Sequence, residues 1–210
     1  MQPVINIATP GSPDPADSFG LIAIELSRHL ARLGCGVNLY SMGPREVPFQ
    51  DEEIAAIIRR PIVASTGMIA LGYPTVFNRY PGIMQLGKRI GICMFESTRI
   101  PEAFVPAMQQ CSAIITPCQF CKDIFEEAGV KVPIHVLPLG INPIYVPAER
   151  AEGRPFTFLA FIDRGMRKGG VQALGAFQAA FGDDMDYKLI LKGRKSKVTA
   201  EILNPNVELI

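Results

Sequence analysis

Six consecutive residues, Ile90 to Phe95, form an apolar run broken only by Gly91, and the run stops at Glu96. A stretch of that length and composition fits a strand buried on both faces of a parallel sheet. Parallel strands need helical crossovers, so the flanking sequence has to supply them. It does: Pro101 suits a first helical position, and Phe104, Val105, Met108 and Cys111 share one side of a short helix that Pro106 bends or shortens. Ala113 to Thr116 reads as the next strand. After Pro117, Cys121, Ile124, Phe125 and Ala128 recur at helical spacing, and Gly129 stands where a left-handed cap residue is wanted. Ile134 to Leu137 gives a further strand, and Pro138, Gly140, Asn142 and Pro143 make its exit a rigid turn.

The same alternation opens the chain. Val4 to Ala8 is a short strand, followed by a loop, Thr9-Pro10-Gly11-Ser12-Pro13-Asp14-Pro15, that can be neither helix nor central strand. Ser18 is positioned to cap a helix with Ile22, Leu26, Leu30 and Leu33 as its apolar stripe, ended by Gly34. Val37 to Tyr40 is the next strand. Strand, glycine-bearing loop, helix and strand open a doubly wound sheet, in which backbone N–H groups at the helix start can hold an anion; a purely structural turn explains the loop as well. Residues 51–60 read as an amphipathic helix with Ile54, Ile57 and Ile58 inward, and Pro61 to Ala64 and Met68 to Leu71 as short strands. Tyr73 to Gly87 reads as a long loop whose Tyr73, Phe77 and Tyr80 either anchor it or stack on a sugar face.

Beyond Pro147 a charged, aperiodic stretch, residues 148–155, leads into a strand at Phe156 to Phe161. Arg164, Arg167 and Lys168 then lie in a glycine-punctuated loop before a helix whose face is Val171, Leu174, Ala176, Phe177 and Phe181. A strand at Tyr187 to Leu191 and a basic loop, residues 192–197, follow, so a second doubly wound unit begins here.

Three segments carry a family resemblance. FESTRIP (95–101), TPCQFCKDIFEEAGV (116–130) and IHVLPLGINPIYVP (134–147) together resemble the stretch that closes the first domain of family 4-like glycosyltransferases of the GT-B architecture. Cys118 departs from it, since the family usually has Ser there. The loop at Lys168-Gly169 matches the cationic loop that holds the donor diphosphate in the family's second domain, whereas Asp163 occupies the usual arginine register and Arg164 stands one place later. Two unit charges about 4 Å apart interact by roughly 4 kcal/mol at an effective dielectric near 20, so Asp163 is expected to face away from a diphosphate or to orient an arginine.

The resemblance implies a Rossmann-like, acceptor-side domain over 1–147 and the start of a donor-side Rossmann-like domain over 148–210. It implies transfer of a sugar from a nucleotide diphosphate sugar to a hydroxyl acceptor (glycan, lipid or protein) with retention of configuration. Arg164, Arg167, Lys168 and Gly169 are then expected at the donor diphosphate, and Gly11, Ser18, Gly20 and Glu96 on the acceptor side of the cleft. No catalytic residue is assigned, and no metal or cofactor is expected. The bland reading of the three cations is a solvated surface loop, against which the glycines, the strand before them and the turn at Pro138 to Pro147 stand in family order; Glu96 could instead cap the next helix or pair with Arg99. About 60 residues follow Pro147 where a doubly wound domain usually needs ~100 to 200, so the second domain is expected to be incomplete; neither Glu201 nor Glu208 supplies the family's paired-glutamate motif. Two alternatives stand beside this reading: a non-catalytic or partner-dependent half-enzyme, and another GT-B nucleotide-sugar enzyme such as an epimerase.

Composition narrows the field further. With 21 Lys and Arg against 20 Asp and Glu, the net charge of +1 offers no field for nucleic acid; peripheral membrane contact stays open. No stretch approaches the ~20 apolar residues of a membrane span, which predicts a soluble chain. Five cysteines without a signal-like start predict a reducing, cytoplasmic setting. His29 and His135 read as packing or surface residues. Cys118 and Cys121 have CxxC spacing at a helix start, a place that suits a reactive thiol, but no second pair exists to complete a zinc site.

Overall fold

In the computed structural model, residues 3–15, 17–43, 51–61, 63–65, 67–80, 87–142, 145–149, 152–162, 168–193 and 204–210 are described. The chain divides into two compact units, Met1–Ile141 and Asn142–Ile210.

The first unit holds a six-stranded, all-parallel sheet. Its elements in order are β1 (Val4–Thr9), α1 (Ser18–Arg32), β2 (Gly36–Ser41), α2 (Glu52–Arg59), β3 (Gly67–Leu71), a 3-10 helix (Pro74–Arg79), β4 (Lys88–Ile92), α3 (Phe104–Gln109), β5 (Ala113–Thr116), α4 (Gln119–Glu127) and β6 (Ile134–Val136). The spatial order is β2-β1-β3-β4-β5-β6. Because side chains alternate along a strand, neighbours feed opposite faces of the sheet. Ile7, Leu71 and Ile92 pack on one face with residues of α1 and α2. Ala8, Ala70 and Cys93 pack on the other with the 3-10 helix, α3 and α4. A buried polar pair fixes the register of β1 against β2: Asn6 and Asn38 lie opposite each other, Asn38 Nδ2 donates to Asn6 Oδ1 at 3.0 Å, and Asn6 Nδ2 donates to the Val63 carbonyl at 2.9 Å. A slip by one residue would leave both amides buried and unsatisfied.

Two helices end as the glycines predict. Gly34 and Gly129 have φ of 83° and 93°, and in each case the paired bonds of a Schellman cap form: Gly34 N–H to Ala31 O and Cys35 N–H to Leu30 O, then Gly129 N–H to Glu126 O and Val130 N–H to Phe125 O.

Several expectations need correction. Ser18 does not cap α1; Asp17 does, its carboxylate accepting from the Phe19 and Gly20 N–H groups, and Ser18 is the exposed first helical residue. The deepest face of α1 is Gly20, Ala23, Ile24 and Ser27, while Ile22, Leu26 and Leu30 flank it and Leu33 is 79% exposed. Small residues let this helix approach the sheet closely, which pushes the large ones to its margins. Ala128 is exposed, because the Gly129 cap turns the chain before the stripe can repeat. Strand β4 ends at Ile92 rather than Phe95, although Cys93 N–H still reaches Ile115 O. Pro101 lies ahead of α3 in a turn closed by Phe104 N–H to Pro101 O. Residues 61 and 63–65 are not strand, and the expected loop after Tyr73 contains the 3-10 helix, with 81–86 outside the described residues.

The second unit holds a smaller parallel sheet, β7-β8-β9, from β7 (Phe156–Phe161), β8 (Tyr187–Lys192) and β9 (Val207–Leu209), with α5 (Gly170–Phe181) as the first crossover. Phe177, Leu189 and Leu191 form its core, and the Phe181 and Tyr187 rings stack with centroids 4.1 Å apart. Val171 and Ala176 are exposed, against expectation: the inward face of α5 runs through Gly170, Leu174, Phe177 and Phe181. No apolar run in the sequence marks β9. Among the described residues no helix is long and apolar enough to cross a membrane.

Candidate functional site

In the first unit, β1 connects through α1 to β2 on one side, and β2 connects through α2 to β3 on the other side of β1. This reversal places a crevice outside the carboxyl ends of β1 and β3, the position at which open α/β sheets take ligands. Its floor is tightly built. Gly72, at φ 123°, follows β3, and a Cβ there would lie 2.9 Å from Val76 Cγ2 and 3.1 Å from Pro10 Cγ, so the two strand exits touch. The loop after β1 is fixed from three sides. Ser41 Oγ donates to the Gly11 carbonyl at 2.8 Å; a Cβ on Gly43 would lie 2.7 Å from Ser12 N; and a Cβ on Gly20 would lie 2.6 Å from both Asp14 O and Ser12 O.

These contacts separate the acceptor-side candidates. Gly11 is half-buried at the crevice. Gly20 lies beneath the loop with its N–H given to Asp17, so its tie is to the chain itself. The first turn of α1 therefore presents a carboxylate where an anion would need free N–H groups, and the expectation of an anion seat there is not met. Glu96 is exposed four residues past the end of β4. It does not cap the following helix, since the cap position of α3 is Ala103 and has no side-chain bond.

Beside the crevice stands an aromatic cluster. The Tyr73 ring is edge-on to Phe19 and to Phe95, each at 6.2 Å between centroids, and stacked on Phe104 at 6.2 Å; Phe95 and Phe104 meet at 5.3 Å. Tyr73 is 41% exposed, so the cluster presents an aromatic surface to solvent. Phe77 and Tyr80, by contrast, are anchors: both are buried, and Tyr80 Oη donates to Leu71 O at 2.6 Å. Burial pushes the Tyr80 phenol well above its ordinary range, with nearby Tyr40 adding. The roles of Phe19, Phe95 and Phe104 were invisible to sequence reasoning, for they come together only through the strand order.

In the second unit, β7 leads through Ile162 into residues 163–167, which lie outside the described residues; Arg164 and Arg167 are therefore not placed. Lys168 is exposed and Gly169 follows it as the cap residue of α5, in the left-handed region at φ 70°. The cap has no side-chain bond and the first turn carries no acidic residue. A Cβ on Gly170 would lie 2.4 Å from Ile162 Cγ2, so the helix start is held directly against the strand exit. Strand exit, left-handed glycine and uncapped helix start bring backbone donors, the positive end of a helix dipole and a lysine to one place.

His29 is exposed beside Glu25, 3.7 Å from it, and His135 is exposed on β6, so both are surface residues. Cys118 Sγ lies 3.6 Å from Cys121 Sγ at the start of α4.

Neither a protein-family model nor a curated protein matches the sequence. Among solved structures, the chain is similar to the crystal structure of the glycotransferase of kitacinnamycin, with a TM-score of 0.53 and 13% identity, over 100% of this chain and 71% of that one. The fold is thus glycosyltransferase-like: two parallel α/β sheets of the Rossmann type, consistent with GT-B architecture.

Proposed function

We propose that the chain belongs to a sugar-transferring enzyme of the family 4-like kind, which takes a sugar from a nucleotide diphosphate donor to a hydroxyl acceptor with retention. The observation that carries this reading is the uncapped start of α5, where Lys168, the left-handed Gly169 and the glycine-mediated contact with β7 coincide. Arg164 and Arg167, in the loop just before it, would add cations to the same diphosphate. Gly11 and Glu96 would face the acceptor, Ser18 would border them, and Gly20 would act by letting the loop lie flat on α1.

In the reaction the bond between the anomeric carbon and the donor's diphosphate oxygen breaks as the acceptor hydroxyl oxygen bonds to that carbon, and the hydroxyl's proton passes to the departing diphosphate. Negative charge gathers on the departing diphosphate. Helix-start N–H groups and fixed cations stabilise that charge more in the transition state than in the ground state, which is how they would accelerate transfer. Glu96 would accept hydrogen bonds from sugar hydroxyls and so orient the acceptor.

Calorimetry against a panel of nucleoside diphosphate sugars tests the reading. Binding by the native chain that weakens on Lys168→Ala, and further on Arg164→Ala with Lys168→Ala, supports it. Equal binding by the double variant removes the donor site.

A further inference from the structure

Cys118 occupies the cap position of α4 and makes no capping bond to the helix. Serine, threonine, aspartate or asparagine at such a position stabilises the helix, so a cysteine here forgoes an available stabilisation. Its sulfur turns instead to Cys121, one helical turn on, at 3.6 Å. Cys121 Sγ in turn donates to the Phe95 carbonyl at 3.5 Å. One thiol is exposed and the other buried beneath it.

We propose that Cys118 and Cys121 are a redox-active dithiol that closes to an intramolecular disulfide on exchange with a small disulfide oxidant such as glutathione disulfide. The spacing suits the bond. Residues three apart around a helical turn have Cα atoms about 5 Å apart, within the span of a disulfide, and the sulfurs, now 3.6 Å apart, must approach by about 1.5 Å to reach bonding distance, a movement open to the solvent-facing Cys118 side chain. The steps balance. Cys118, as thiolate, attacks one sulfur of glutathione disulfide; the S–S bond breaks, a Cys118–glutathione bond forms and one glutathione leaves. Cys121, as thiolate, attacks the Cys118 sulfur and expels the second glutathione. Two electrons pass from protein to glutathione, and the two cysteine protons end on the released glutathione thiols.

The other thiols do not compete for this role. Burial pushes the Cys93 thiol far above its ordinary range, and pushes Cys111 up to about 11, so both remain protonated as well as enclosed. Cys35 lies in the turn between α1 and β2, on a different connection of the sheet. Oxidation also has a structural consequence. A disulfide carries no S–H, so the bond from Cys121 to the Phe95 carbonyl is lost, and with it a tie on the segment that leads out of β4 to Glu96.

The full chain is equilibrated in glutathione buffers from fully reduced to fully oxidised, quenched in acid, alkylated after denaturation and mapped by mass spectrometry. The expected result is a fall from five alkylated cysteines to three in a single two-electron transition, with Cys118 and Cys121 joined within one peptide. Cys118→Ser should keep all remaining thiols alkylatable throughout; Cys121→Ser should trap glutathione on Cys118. Should the native chain retain five free thiols across the series, or hold glutathione on Cys118 without resolving it, the proposal is overturned. Because the readout is covalent and needs no sugar or acceptor, it stands or falls apart from the proposed transfer activity.

Discussion

The two loop-to-helix turns that open the two sheets are built from opposite parts. At α1 the turn is acidic and closed: Asp17 occupies the Phe19 and Gly20 N–H groups, and Gly20 lies under the loop backbone. At α5 the described residues carry a cation and no acid: Gly169 supplies no side chain, Lys168 precedes it, and no carboxylate sits in the first turn of the helix. Both arise from strand, loop and helix in the same order. The difference shows that an anion seat is decided by which side chain stands at the cap, since a carboxylate there uses the same donors a phosphate would need.

The comparison breaks most directly through ligand binding. Replacing Lys168 and Arg164 together by alanine should weaken nucleoside diphosphate binding by on the order of 100-fold, because charge-assisted bonds to phosphate are among the strongest available. Asp17→Ala should change it less than about twofold if only the α5 turn holds the donor. Titration calorimetry with both variants decides between the two helix starts.

Next in size is the packing of the closed turn. Alanine at Gly20 places its methyl 2.6 Å from two backbone carbonyls that cannot rotate away, so a loss of about 2 to 3 kcal/mol is expected in urea unfolding followed by circular dichroism. Alanine at Gly170 meets Ile162 at Cγ2 (2.4 Å) and Cβ (3.0 Å), atoms that a β-branched residue cannot swing aside, so a comparable loss of about 2 to 3 kcal/mol is expected there. A clearly smaller loss at Gly170 would mean that the second turn yields where the first does not.

Smaller again is the cap. Asp17→Ala should cost about 1 kcal/mol and Asp17→Asn much less, since asparagine also accepts from the helix N–H groups. The smallest effect concerns the second acid-capped helix, α2. Asp51 accepts from Ile54 N–H and pairs with Arg28, and chiefly the first of these holds its carboxyl below the ordinary value of 3.8. A carboxyl whose folded pKa is depressed contributes stability above its unfolded pKa and loses it as pH falls through the folded value. Acid unfolding should therefore begin slightly earlier in the native chain than in Asp51→Asn when each is normalised to its stability at neutral pH.

Much of this fold could be read from the chain. Val4 to Ala8, Ala113 to Thr116 and Phe156 to Phe161 are strands as expected, because short apolar runs bounded by Gly, Pro or charge have few other places to go. Gly34 and Gly129 marked helix ends because only a left-handed residue closes those turns without strain. Large residues dominate a periodicity count along α1, yet the helix buries the small Ala23 and Ser27, and Gly20 lies under the loop after β1. The short β9, with its central Glu208, offers no such run and exists through pairing with β8. As for the candidate site, Lys168-Gly169 was legible from charge and glycine alone. Asp17 was not, because aspartate and serine stand side by side and either can cap. Nor were Phe19, Phe95 and Phe104, whose meeting with Tyr73 depends on strand adjacency that no local pattern encodes.

The Tyr80 hydroxyl bears on how that aromatic surface would behave. By fastening Leu71, it immobilises the backbone one residue before Gly72 and two before Tyr73, while Pro74 restricts the chain on the other side. The Tyr73 ring is thereby held in its orientation before anything arrives. A flat guest laid against it would forfeit its own freedom but little of the protein's, so complex formation at that spot should show a modest entropic penalty and fast arrival.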